Sequence, residues 1–160
     1  MLWQLISPSP RVTELVGEKL GRLLTPGDVV SLVGELGAGK TVFVHGVARG
    51  LGVTSSVSSP SFILIQEYEG KYPVFHCDFF RLESYQELEE IGWDEYRQRK
   101  GIILIEWGNR IPEALPQEYL EIAIACHGNS ESARLISFYP RGSVYEAKVK
   151  ELRDACGCLG

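Results

Sequence analysis

Apolar positions along the chain fall into alternating helical and extended patterns. Over residues 11–24, RVTELVGEKLGRLL, Val12, Leu15, Val16, Leu20 and Leu23 recur at helical spacing, which predicts a helix with one buried face. Gly17 and Gly21 weaken its intrinsic propensity, and Thr25-Pro26-Gly27-Asp28 stops it. VVSLV at 29–33 is short and apolar, the profile of a buried strand. Helical spacing returns over 40–51, with Val44, Val47, Ala48 and Leu51 on one side and Gly52 as the stop.

After a polar loop at 55–61, SSVSSPS, the segments 62–68 and 72–80 predict two strands joined at a Glu-Gly-Lys turn. Residues 84–96 predict a helix, with Ser84 as N-cap and Glu87 completing a capping box. GIILIEW at 101–107 reads as a central strand buried on both faces. Segments 119–125 and 133–139 alternate and predict a hairpin across HGNSES, and 143–152 predicts a last helix. Helices alternating with strands indicate an α/β fold. The expected form is a three-layer mixed sheet with helices on both faces. The strands at 62–80 and 119–139 are expected as antiparallel additions to a parallel core. No polar linker divides the chain, so residues 1–160 are expected to form one domain.

Composition narrows the function. The chain has 160 residues, 44% of them hydrophobic, which suffices for a sizeable core without disulfides or metal. Its formal net charge is -5, and no basic stripe is visible, so direct grip on nucleic acid is disfavoured. No apolar run reaches membrane-spanning length and no secretory signal is seen, so a cytoplasmic setting with no membrane contact is expected. Of the four cysteines, Cys156 and Cys158 form CGC without the second pair that zinc needs, and read as a frayed tail.

The chemistry concentrates in GELGAGKT. Gly34, Gly39, Lys40 and Thr41 match G-x-x-x-x-G-K-[ST] in full, after a predicted strand and at the start of a predicted helix, so the expected three-layer sheet is of P-loop NTPase type. Glycines at 34, 37 and 39 let the backbone turn tightly around an anion. Backbone N–H groups and the helix dipole then favour phosphate. Lys40 adds a positive charge toward the β and γ phosphates, and Thr41 offers a hydroxyl to Mg²⁺. The nucleotide-contacting residues expected are Gly34, Glu35, Leu36, Gly37, Ala38, Gly39, Lys40, Thr41 and Val42.

Such a loop requires a carboxylate at a nearby strand end. Asp78 and Glu106 both qualify, and Glu106 ends the more apolar strand. Which of them holds Mg²⁺ and which positions water stays open. Ser59 or Ser61 is placed to sense the γ-phosphate. Trp107 is expected to line the nucleotide pocket, and Arg81 to anchor its loop or touch phosphate. His76 and His45 lack a companion at metal-ligand spacing and read as structural or surface residues. No N-K-x-D signature is present, which disfavours a GTPase. A small-molecule kinase stays open, with Arg97, Arg99 and Lys100 as lid candidates.

Taken together, GELGAGKT, SPSF, HCDFFRL and IEWGNR resemble the bacterial tRNA threonylcarbamoyladenosine biosynthesis family TsaE, formerly YjeE. The resemblance implies a small ATPase that uses ATP and Mg²⁺. It would act with TsaD and TsaB in placing threonylcarbamoyl on adenosine 37 of tRNAs that read codons beginning with A. It assigns Lys40, Asp78 and Glu106 to catalysis and Thr41, Asp78 and Glu106 to the metal. It places the switch hydroxyl on Ser61 and sets Trp107 beside Glu106. Three positions depart from the family pattern: Val42 stands for a second Thr, Ser61 for Thr, and Phe80 for Tyr. The alternatives are the kinase or a non-hydrolysing nucleotide-binding subunit.

Overall fold

The computed structural model describes residues 2–35, 37–57 and 64–157. Seven strands form one mixed sheet among these residues: β1 (Trp3–Ser7), β2 (Val29–Val33), β3 (Ile65–Glu69), β4 (Pro73–Asp78), β5 (Ile102–Glu106), β6 (Tyr119–Cys126) and β7 (Arg134–Arg141). Their order is β1-β7-β6-β2-β5-β4-β3. The helices are α1 (Pro10–Gly21), α2 (Lys40–Gly50), α3 (Tyr85–Glu90), α4 (Trp93–Gln98) and α5 (Ser143–Ala155).

The parallel core is wider than the hydrophobic pattern implies. β2 is parallel to both β5 and β6, and β4 is parallel to β5. The first member of the 119–139 hairpin and the second of the 62–80 pair therefore belong to the parallel core. The antiparallel additions are β3 at one edge and β7 with β1 at the other. Strand alternation then sorts the core into two layers. Val30, Leu32, Ile102 and Leu104 pack with residues of α1, α2 and α5. Val29, Ile103, Ile105, Phe75 and Cys77 pack with Leu88 and Trp93 of α3 and α4.

Three expectations are corrected. β1 was not expected, and pairs antiparallel with β7 from Trp3 opposite Phe138 to Ser7 opposite Arg134. The helix expected over 84–96 divides, because Gly92 adopts a left-handed φ of 84° between α3 and α4. Ser84 does sit at the N-cap, but its side chain makes no cap hydrogen bond. Cys156 is not in a frayed tail; it is buried in the core beside α5, and burial pushes its thiol upward. Cys158, the other half of the CGC pair, lies outside the described residues.

The glycines of α1 have a use that propensity conceals. Gly17 and Gly21 are four residues apart, as are Gly46 and Gly50 on α2, so each pair lies on one helix face. A Cβ on Gly17 would stand 2.4 Å from the Phe43 carbonyl oxygen, and one on Gly46 would stand 2.0 Å from that of Glu14. The two backbones touch, and this contact sets how closely α1 and α2 pack. Gly→Ala in an ordinary helix interior stabilises by about 0.5–1 kcal/mol. Here Gly46→Ala is expected to reverse that sign and destabilise by about 1–3 kcal/mol through overpacking. Thermal unfolding checks this: a melting temperature at or above the parent's would refute the backbone contact.

Candidate active site

The site is built where β2 runs into α2. α1 begins with a capped first turn, in which Ser9 Oγ accepts from the Val12 N–H at 3.3 Å. α2 begins on Gly39, at φ 106°, with no side-chain cap. The Phe43 N–H returns to the Gly39 carbonyl, so the amides of Lys40, Thr41 and Val42 precede the first intrahelical bond. An uncapped helix start with three donors is an anion site by construction. Gly34 approaches the Ile124 carbonyl so closely that a Cβ would stand 2.4 Å from its oxygen.

Lys40 is 5% exposed and points back across the loop. Its Nζ donates to the carbonyls of Gly34 at 2.5 Å and Glu35 at 2.8 Å. It also lies 4.4 Å from the Trp107 ring centroid, within cation–π range. Burial lowers the Lys40 pKa, while the Glu106 and Asp78 carboxylates oppose that shift.

The two acids stand side by side, because Asp78 and Glu106 are register partners on parallel strands β4 and β5. Glu106 is 4% exposed. Its Oε1 accepts from Thr41 Oγ1 at 3.3 Å, which ties the strand end to the first turn of α2. Its Oε2 lies 2.6 Å from Nε2 of His76. Asp78 Oδ1 accepts from the Phe80 N–H at 2.9 Å. Burial raises the Asp78 pKa, with the Phe80 N–H opposing and the Glu106 charge adding. Trp107 follows Glu106 with a left-handed φ of 62°, unusual for a bulky residue. Its ring meets Phe80 at 4.9 Å between centroids.

These groups share a cleft of about 500 Å³, lined by Gly37, Gly39, Lys40, Thr41 and Val42 on one wall. Asp78, Phe80, Arg81, Glu106 and Trp107 form the other. Leu36 and Ser61, expected at the same site, lie outside the described residues, as does Ser59. Arg97, Arg99 and Lys100 do not line the cleft; Arg99 forms an ion pair with Glu67 and stacks on Phe75.

Two residues were not found by sequence reasoning. His76 read as structural or surface; it is structural, fully buried, and its contact with Glu106 was not foreseen. Its parity with Asp78 on β4 was the available signal: both face the α2 side. Arg134 carried no signal, since its contacts to the loop come from distant β7.

Among the described residues no three His, Cys, Asp or Glu side chains gather as a metal cage. Mg²⁺ in phosphate sites does not need one, since it takes one or two carboxylates plus substrate oxygens and water. The donors converging here are all hard oxygens: Thr41 Oγ1 and the carboxylates of Glu106 and Asp78. They fit such an ion.

A three-layer mixed sheet with this strand–loop–helix at its centre has the architecture of the P-loop NTPase class. The family model described as "Threonylcarbamoyl adenosine biosynthesis protein TsaE" matches residues 7–136, and the chain belongs to that family. It is 42% identical over 151 residues to the tRNA threonylcarbamoyladenosine biosynthesis protein TsaE of Bacillus subtilis, covering 94% of this chain and 92% of that protein. The same-named protein of Treponema pallidum is 40% identical over 128 residues, covering 79% of this chain and 95% of that one. The crystal structure of Bacillus subtilis YdiB superposes with a TM-score of 0.84 at 36% identity, over 97% of this chain and 96% of that one. No helix among the described residues is long and apolar enough to cross a membrane.

Proposed function

We propose that the chain binds ATP with Mg²⁺ and hydrolyses it as an accessory subunit in threonylcarbamoylation of adenosine 37 of tRNAs reading codons beginning with A. TsaD and TsaB are its proposed partners, and any tRNA contact is local or passes through them. The observation that carries the ATPase reading is the hydrogen bond from Thr41 to Glu106, which brings the loop hydroxyl and the strand-end acid to one point. Membership of the TsaE family supports the pathway.

In this reading the α2 amides and Lys40 hold the β and γ phosphates. Thr41, with Glu106 or Asp78, holds Mg²⁺. The ion supplies charge neutralisation on the transferring phosphoryl group. One of the two acids orients the attacking water, and His76 holds the Glu106 carboxylate at its Oε2. That Arg97, Arg99 and Lys100 do not line the cleft argues against a lid of the kinase type.

Phosphate release from Mg·ATP, measured alone and with TsaB, TsaD and tRNA, tests the proposal. Release is expected to be low alone and stimulated by the mixture. Transfer of the γ-phosphate to a metabolite, or nucleotide binding without turnover in the full mixture, would replace this reading with one of its alternatives.

A further inference from the structure

The β6–β7 hairpin and the glycine loop are joined through one side chain. Arg134, at the start of β7, donates from Nε to the Ala38 carbonyl at 2.8 Å and from Nη2 to the Gly37 carbonyl at 3.3 Å. The same guanidinium donates from Nη1 to the carbonyls of Glu131 at 2.8 Å and Ala133 at 2.9 Å. Four acceptors from two segments nearly a hundred residues apart in sequence thus share one rigid fork.

Gly37 and Gly39 flank the gripped peptides with φ of 78° and 106°. Glycines in such conformations have little intrinsic preference for one peptide orientation. An external contact must choose it. A trans peptide is planar, with its C=O and N–H antiparallel. Holding the Ala38 carbonyl toward the hairpin therefore turns the Gly39 N–H away from it. Gly39 also lines the 500 Å³ cleft, and Arg134 does not. The arginine acts on the far side of the loop from Lys40, Thr41 and Glu106.

The geometry points to Arg134 as a positioning residue: it locks the peptide planes of the glycine loop so that the loop is set for a triphosphate before one arrives. This rests on the nucleotide-binding reading above.

Arg134→Met and Arg134→Lys test the role, with two readouts. The first is hydrogen exchange at the Ala38 amide, which donates to the Glu35 carbonyl at 3.1 Å, in the nucleotide-free protein, where its protection reports loop opening. The second is the Kd for ADP and ATP with Mg²⁺, alongside the melting temperature. Arg134→Met is expected to speed exchange at this amide, leave exchange in α1 and β5 unchanged, and raise Kd at least about tenfold. Lysine keeps the charge but loses the fork, and is expected to restore little of either. Parent-like exchange in Arg134→Met, or full recovery in Arg134→Lys, overturns the positioning role. Should the parent chain bind no nucleotide, the functional reading fails while the exchange measurement still decides the role of Arg134.

Discussion

Lys40→Ala is expected to abolish ATP hydrolysis while leaving the fold intact. The ammonium is the cation placed at the mouth of the uncapped helix, between the loop carbonyls of Gly34 and Glu35 and the face of Trp107. Burial disfavours its charged form, and the Glu106 and Asp78 carboxylates restore part of the balance. A triphosphate adds negative charge at the same point, so it favours the charged lysine further and competes with the two carbonyls for it. Loss of a preorganised group aimed at developing charge lowers kcat by on the order of 100- to 1,000-fold. Alanine removes that group and frees the carbonyls of Gly34, which is half-buried, and Glu35, which is exposed, so water can replace the lysine. The melting temperature should therefore move little. Phosphate release in the complete mixture is the check, and turnover within a few-fold of the parent would remove Lys40 from the mechanism.

Much of this site was legible because its parts are local. The loop is contiguous, and its match to a phosphate cradle needs only the flanking strand and helix. Glu106 was legible from the apolar run that ends on it. What stayed hidden depends on tertiary partners. β1 reads WQLIS and leaves Leu2 and Ile6 exposed at the sheet edge, so its apolar pattern is too mixed to announce a strand. The parallel placement of β4 and β6 follows from crossovers that strand periodicity does not encode. Gly17 and Gly21 looked like defects until the matching spacing of Gly46 and Gly50 is laid against them. His76 was within reach of a parity argument, whereas the reach of Arg134 to Gly37 and Ala38 was not.

The second large effect concerns Glu106, and here the choice of substitution matters. Glu106→Ala would remove an acceptor from a fully buried imidazole that already has Nδ1 without a hydrogen-bond partner among the described residues. Leaving a second buried ring nitrogen unpaired costs about 1–3 kcal/mol. A loss of activity in that variant would mix folding with chemistry. Glu106→Gln keeps an amide oxygen for His76 and a similar volume, and deletes the charge. It is expected to melt near the parent temperature, to bind nucleotide within about tenfold of the parent, and to hydrolyse ATP on the order of 100-fold more slowly. Binding survives because the α2 amides and Lys40 are untouched. Hydrolysis falls because the carboxylate beside Thr41 is proposed to hold the metal or orient the water. Asp78→Asn, measured in parallel, separates those two roles: the acid that holds the metal should raise the Mg²⁺ concentration needed for half-maximal rate, and the acid that orients water should lower the rate at saturating Mg²⁺. Parent-rate hydrolysis by Glu106→Gln within the full complex would transfer both roles to Asp78.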